Sequence, residues 1–158
     1  MLARAGLAGF FALAHAGVAM QQALGLEGGA QLGVVFQQRA GDAQAHGIGL
    51  AAQQVGRPMQ LTVVDVTDVE DRPSRMSIDG EPVKPEDYMP LILLNPECTA
   101  VSDAKAEGGE GCLSFPEVYG EIERPEEIDV KAMDENGEPV AFRCGGLLAR
   151  AIQHEWDH

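Results

Sequence analysis

The chain has 158 residues, of which 25 are acidic and 11 basic, for a formal net charge of −14. That length supports one domain with a real core, and that charge argues against a surface holding nucleic acid through phosphate contacts. With 5% aromatic residues there is no sign of a stacking platform for bases, and 3 cysteines do not make a disulfide framework.

A reducing compartment fits the cysteine count, and Cys98 and Cys144 read as small apolar residues. Residues 1–40 leave three readings open. Met1 to Leu26 is apolar and acid-free around Phe10-Phe11-Ala12-Leu13-Ala14, and Ala14-His15-Ala16 has the form of a signal-peptidase site. The segment is therefore a secretory signal, an organelle transit peptide or an Ala-rich helix packed on the domain. It is too short and too Gly-interrupted for a membrane span. The domain that carries the chemistry is placed at residues 41–158.

Gly47-Ile48-Gly49-Leu50-Ala51-Ala52-Gln53-Gln54 follows. Gly49 lets the backbone approach a ligand closely, and a Gln amide can donate to an oxyanion. Leu61 to Val66 is β-branched and reads as a strand. Asp68 to Asp87 reads as an exposed acidic loop, with Asp79-Gly80 marking a turn or small hairpin. Leu91 to Pro96 reads as a second strand, ended by its proline. Val118–Glu123 and Ile128–Met133 are further strands. Asn136-Gly137 predicts a type I′ turn joining Ile128–Met133 to Val140–Arg143. Gly145-Gly146 opens a final helix, on which Leu147, Leu148, Ala151 and Ile152 recur at helical spacing.

That helix ends in His154-Glu155-Trp156-Asp157-His158, a His-Glu-x-x-His pattern. Residues four apart share one helix face, so both imidazoles can reach one metal ion, with Glu155 placed to act on its water. A tetrahedral catalytic site needs a third protein ligand and one open position. No residue follows His158, so that ligand is sought upstream. Cys112 in Glu110-Gly111-Cys112-Leu113-Ser114 is the best candidate, because a thiolate binds zinc or ferrous iron strongly.

As an ordered set, Gly-Ile-Gly-Leu-Ala-Ala-Gln-Gln, Glu-Gly-Cys-Leu-Ser and Gln-His-Glu-Trp-Asp-His resemble the motifs of the peptide deformylases. The resemblance runs from about Gly47 to His158 and includes Ile92 to Pro96 and Gly137 to Val140. It implies an α+β fold, with antiparallel sheets packed around a central C-terminal metal-binding helix. It implies ferrous iron as cofactor, with zinc, nickel or cobalt able to occupy the site, and hydrolysis of the N-formyl group from the initiator methionine of nascent chains. Its ligands would be Cys112, His154 and His158, with Glu155 as general base and acid. Gln54 and the Leu113 N–H would form the oxyanion hole. Gly49 would lie against the substrate, with Leu50 near the formyl group. Ile48, Leu147 and Ala151 would wall a methionine pocket, although core packing explains each equally well. Glu110 would line the same cleft or anchor its loop. The family pattern also suggests Arg124 as a buried partner for Asp157. Gln53 stands where the family usually has Pro or another small residue, and the segment that usually continues past the second His does not follow here.

The partners implied are N-formylmethionyl peptides, nascent chains and the ribosome, with no nucleic acid and no membrane. The implied location is the cytoplasm, or an organelle if residues 1–25 are a transit peptide. Two other readings compete: a peptidase built on the same helix, and a truncated, catalytically inactive relative that binds metal or a partner.

Overall fold

A computed structural model describes residues 48–67, 69–112 and 114–158. The readings of residues 1–40, and the backbone donor expected at Leu113, fall outside these. Among the described residues there are nine strands and one α-helix: β1 (Gly49–Ala51), β2 (Leu61–Val64), β3 (Ser74–Ile78), β4 (Glu81–Val83), β5 (Leu91–Ala100), β6 (Lys105–Cys112), β7 (Phe115–Pro125), β8 (Glu127–Met133), β9 (Pro139–Gly146) and α1 (Leu147–Trp156). Seven strands form one sheet in the order β1-β2-β5-β8-β9-β3-β4, and β6 and β7 form a second, two-stranded sheet. The pairings are antiparallel. The mostly antiparallel architecture with a C-terminal helix agrees with the fold class expected from sequence.

The core lies between the large sheet and α1. Val64, Leu93, Ile128 and Val130 meet Leu148 and Ile152, each at 0–1% exposure. Burial of such side chains stabilises by about 1.5–3 kcal/mol each. This aliphatic face anchors the helix that carries His154 and ends two residues before His158. The helix also touches β7, so it packs against both sheets.

The hairpin expected at Asp79-Gly80 is β3–β4, closed by Asp79 at φ 52° and Gly80 at φ 83°, the paired positive φ values of a type I′ turn, and its two strands replace part of the loop expected around it. Three other local expectations are corrected. Strand β5 does not stop at Pro96. The register shifts between Leu94 and Glu97, with Asn95 at φ 50°. A bulge needs no ladder hydrogen bond from the proline, so the strand continues to Ala100. The Asn136-Gly137 turn is not type I′. Only Gly137 has positive φ (81°), and the Gly137 N–H donates to the Asp134 carbonyl at 3.0 Å. The Asp134 carboxylate accepts the N–H groups of Asn136 and Glu138 at 2.8 and 2.9 Å, which favours a type I turn followed by a left-handed glycine. Finally, Gly145 and Gly146 belong to β9, and the helix begins at Leu147.

The strand-to-helix junction depends on Gly146. Its φ is 69°, and a side chain there would collide with the Pro73 carbonyl oxygen. That carbonyl accepts the Leu147 N–H at 3.2 Å, and Ser74 Oγ accepts the Leu148 N–H at 3.1 Å. Strand β3 thus supplies the caps that the helix lacks locally. Gly146→Ala is expected to lose about 1–3 kcal/mol from the backbone conformation alone, read as a lowered denaturation midpoint with an unchanged m-value.

Candidate active site

Strand β6 alternates in exposure, and its even-numbered residues are the half-buried ones. Ala106, Gly108, Glu110 and Cys112 therefore share the face turned toward α1. Arg150 and His154 lie four apart on α1, and His158, expected on the same helix, falls two residues past its end at Trp156 but continues the stripe, its N–H donating to the Glu155 carbonyl at 3.3 Å. The two stripes meet at the end of the chain. Cys112 Sγ lies 3.3 Å from His158 Nε2. The ligand-capable atoms of Cys112, His154 and His158 all lie within 4.8 Å of one another. The sequence picks out these three residues, and the tertiary structure brings them together.

One thiol and two imidazoles fit a divalent transition metal, and three protein donors leave a fourth position open. The other cysteines do not compete. Burial pushes the Cys98 thiol up to about 11 and raises Cys144 as well, so both stay protonated and weakly ligating.

Glu110 sits directly behind His154. His154 Nδ1 lies 3.0 Å from Glu110 Oε2. Such a partner fixes the ring and leaves Nε2 as the lone-pair nitrogen. Arg124 holds the same carboxylate with a fork, Nε at 2.6 Å and Nη2 at 2.9 Å, and Arg150 adds a contact at 2.7 Å. Burial alone would raise the Glu110 carboxyl, but hydrogen bonds from Arg124, His154 and Arg150 overrule it and hold it at about 2. Of the two readings of Glu110, cleft lining and loop anchoring, the geometry takes the second, because the carboxylate is enclosed by these partners. Arg124 also reaches Asp157 at 2.9 Å. The pairing read from the family pattern is present, with the Arg124 side chain 13% exposed and that of Asp157 62% exposed.

Glu155 is 6% exposed, and its Oε2 has no hydrogen-bond partner among the described residues. Burial pushes its carboxyl up to about 8, against the Ala51 N–H and with help from the Glu110 charge. A nearby divalent cation would act in the opposite sense. A Cβ on Gly49 would lie 2.5 Å from Glu155 Oε1, so the glycine expected against substrate makes room for this carboxylate. Gln54 is held by the Ala51 N–H, which donates to its Oε1 at 2.8 Å. Its amide is thereby turned toward Ser114 Oγ at 3.2 Å and Cys112 Sγ at 3.6 Å.

A sequence model of the polypeptide deformylases matches residues 39–158. The chain belongs to the peptide deformylase family. The Opitutus terrae peptide deformylase is 47% identical over 116 residues, covering 73% of this chain and 60% of the relative. The Methylacidiphilum infernorum relative is 45% identical, covering 71% and 58%. Among solved structures, a Synechococcus elongatus peptide deformylase in complex with actinonin aligns with TM-score 0.60 at 38% identity, over 80% of this chain and 59% of that one. A Thermotoga maritima peptide deformylase aligns with TM-score 0.53 at 37% identity, over 70% and 62%. The chain thus spans about three fifths of the length of these relatives.

Within this member of the deformylase family the proposed pocket residues divide. Leu50, Leu147 and Ala151 are 4–5% exposed. Leu147 and Ala151 sit in the main core cluster, and Ile48 packs on its edge, half-buried. Sequence reasoning missed Ser114, although it closes the Glu-Gly-Cys-Leu-Ser motif, and Arg150, whose signal was a charge four residues before His154 on the same stripe. Glu110→Gln is expected to keep the fold but weaken Co2+ retention about tenfold to a hundredfold, the effect of a lost carboxylate behind a ligating His. Competition with a chelator measures it.

Proposed function

We propose that this chain catalyses peptide deformylation, the hydrolysis of the N-formyl group from the initiator methionine of nascent polypeptides with release of formate. The observation that carries the reading is the convergence of Cys112, His154 and His158 within 4.8 Å, beside a buried Glu155 and an oriented Gln54. Membership of the family supports it. In this reading α1 is a metal-binding helix, with Cys112 as third ligand.

A formamide resists hydrolysis near neutral pH, and a bound divalent cation supplies the Lewis acidity that makes water a competent nucleophile there. Glu155 takes the proton from the attacking water and returns it to the leaving amine. Its buried position shields that proton from bulk solvent. The Gln54 amide meets the developing oxyanion, with the Leu113 N–H as second donor by family resemblance. Because Ala51 fixes the Gln54 carbonyl oxygen, the amide donates without having to reorganise. A formyl carbon carries only hydrogen, so close walls at Gly49 and Leu50 would exclude an acetyl group. Ile48, half-buried at the edge of the core, is the more accessible candidate for the methionine pocket.

Ferrous iron is the proposed cofactor, with zinc, nickel and cobalt as substitutes. Nascent chains leaving the ribosome are the proposed substrates, in the cytoplasm or an organelle. Among the described residues no helix is long and apolar enough to cross a membrane.

Formate release from formyl-Met peptides, with acetyl-Met and unmodified peptides as controls, tests this function. Cleavage of internal peptide bonds without formate release would overturn it. Glu155→Gln should retain metal and lose most turnover. Gly49→Ala should do the same, because its methyl group displaces the Glu155 carboxylate. Near wild-type turnover in Glu155→Gln would remove the general-base assignment. The iron form should lose activity in air while the nickel form keeps it, as followed by formate release before and after aeration.

A further inference from the structure

The small sheet carries Glu110 and Cys112, yet it docks on α1 through polar contacts. Arg150, 8% exposed, does most of this. Its Nη2 donates to the Ala106 carbonyl at 2.7 Å, and its Nη1 to the Ile122 and Gly108 carbonyls at 2.9 and 3.3 Å. The same Nη1 contacts Glu110 Oε1 at 2.7 Å. One guanidinium thus gathers carbonyls from both β6 and β7. Gly108 is shaped to it: an added Cβ would lie 3.1 Å from Arg150 Cζ. Gln153 adds one more such bond, its Nε2 donating to the Pro125 carbonyl at 3.1 Å.

The contacts form a ladder of three rungs. Arg150 meets Gly108, His154 meets Glu110, and His158 meets Cys112. Four residues of helix rise about 6 Å, and two residues of strand rise about 6.8 Å. Steps of four on α1 and of two on β6 keep the first two rungs in phase, and the third follows just past them, with His158 beyond the end of α1 and Cys112 beyond the register shift in β6. A slip of two residues along β6 would put Glu110 or Ser114 beside His158 in place of Cys112.

We infer that Arg150 is a positioning residue for the metal site: by clasping β6 and β7 at Ala106, Gly108 and Ile122, it sets the register of β6 on α1 that delivers Cys112 to His154 and His158. The inference rests on reading those three residues as metal ligands. Arg150 acts at a distance, through the strand, and touches neither substrate nor metal. Loss of Arg150 also removes one partner of Glu110, which holds His154, so the test separates a route through Cys112 from one through Glu110.

The test uses the Co2+-loaded 158-residue chain and two readouts, the sulfur-to-cobalt charge-transfer absorption and the rate of Co2+ loss to a chelator. Arg150→Met should weaken the charge-transfer band and speed Co2+ loss about tenfold to a hundredfold, the range for residues that orient ligands. Arg150→Lys keeps the charge but not the planar fork, and should fall between wild type and Arg150→Met. Gly108→Ala, which pushes on the guanidinium, should shift both readouts the same way. The deciding comparison is made in a Cys112→Ala background. If Arg150 acts through Cys112, the Arg150→Met effect on Co2+ loss disappears there. An equal effect in both backgrounds overturns the inference and leaves Arg150 acting through Glu110 and His154 or as a general stabiliser. Should Arg150→Met fail to fold, the same cycle with Arg150→Lys decides between these outcomes. Wild-type protein that binds Co2+ without a charge-transfer band would instead sink the ligand role of Cys112, and this inference with it.

Discussion

The Glu110 carboxylate is the point at which β6, β7 and α1 are joined. It accepts from Arg124, Arg150 and His154 at 2.6–3.0 Å, with its side chain 9% exposed. Burying a charge is costly unless it is paired and hydrogen-bonded. Here two guanidinium groups and an imidazole supply that pairing, and the carboxylate stays ionised. Removing one partner of such a group costs about 3–5 kcal/mol, because the remaining charges are left buried. The network therefore restricts the small sheet to one placement more sharply than an apolar contact could.

The two sheets contribute differently to the site. The large sheet holds α1 by an aliphatic face that includes Leu148 and Ile152 at 0% exposure. That contact is strong but not directional. The small sheet meets the opposite side of the helix through Arg150, Gln153, His154 and Asp157. Hydrogen bonds of fixed geometry carry positional information that dispersion does not. Hydrophobic burial thus places the two histidines, and polar contacts bring the cysteine to them.

Several glycines mark where side chains approach the backbone closely. Gly49 faces the Glu155 carboxylate, Gly108 the Arg150 guanidinium and Gly111 the Tyr119 ring. Strand β6 also bends between Gly111 and Cys112, where its register on β7 shifts. The sequence of β6 carries no strand signal. Lys-Ala-Glu-Gly-Gly-Glu-Gly-Cys has none of the β-branched or aromatic residues that favour strands. Pairing with β7, together with the Arg150 clasp, overrides that local preference.

The sequence by itself singled out the residues on which the proposed chemistry rests. The four-residue spacing of His154 and His158 is set by helix geometry, and Glu155 follows from the same pattern. The ordered motifs around Gly49, Cys112 and His154 were enough to identify the family. Apolar patterning also located β2, β7 and β8 and the buried face of α1. Only the tertiary structure decided the support of that chemistry. Arg124 and Arg150 are 14 and 40 residues from Glu110, and no local pattern links a charged residue to a partner so distant in the chain. The bulge at Asn95 and the cap from Pro73 and Ser74 depend likewise on what lies next to each residue in space. Local spacing fixes which side chains share a face, whereas the neighbour each face meets is set by how the two sheets close on the helix.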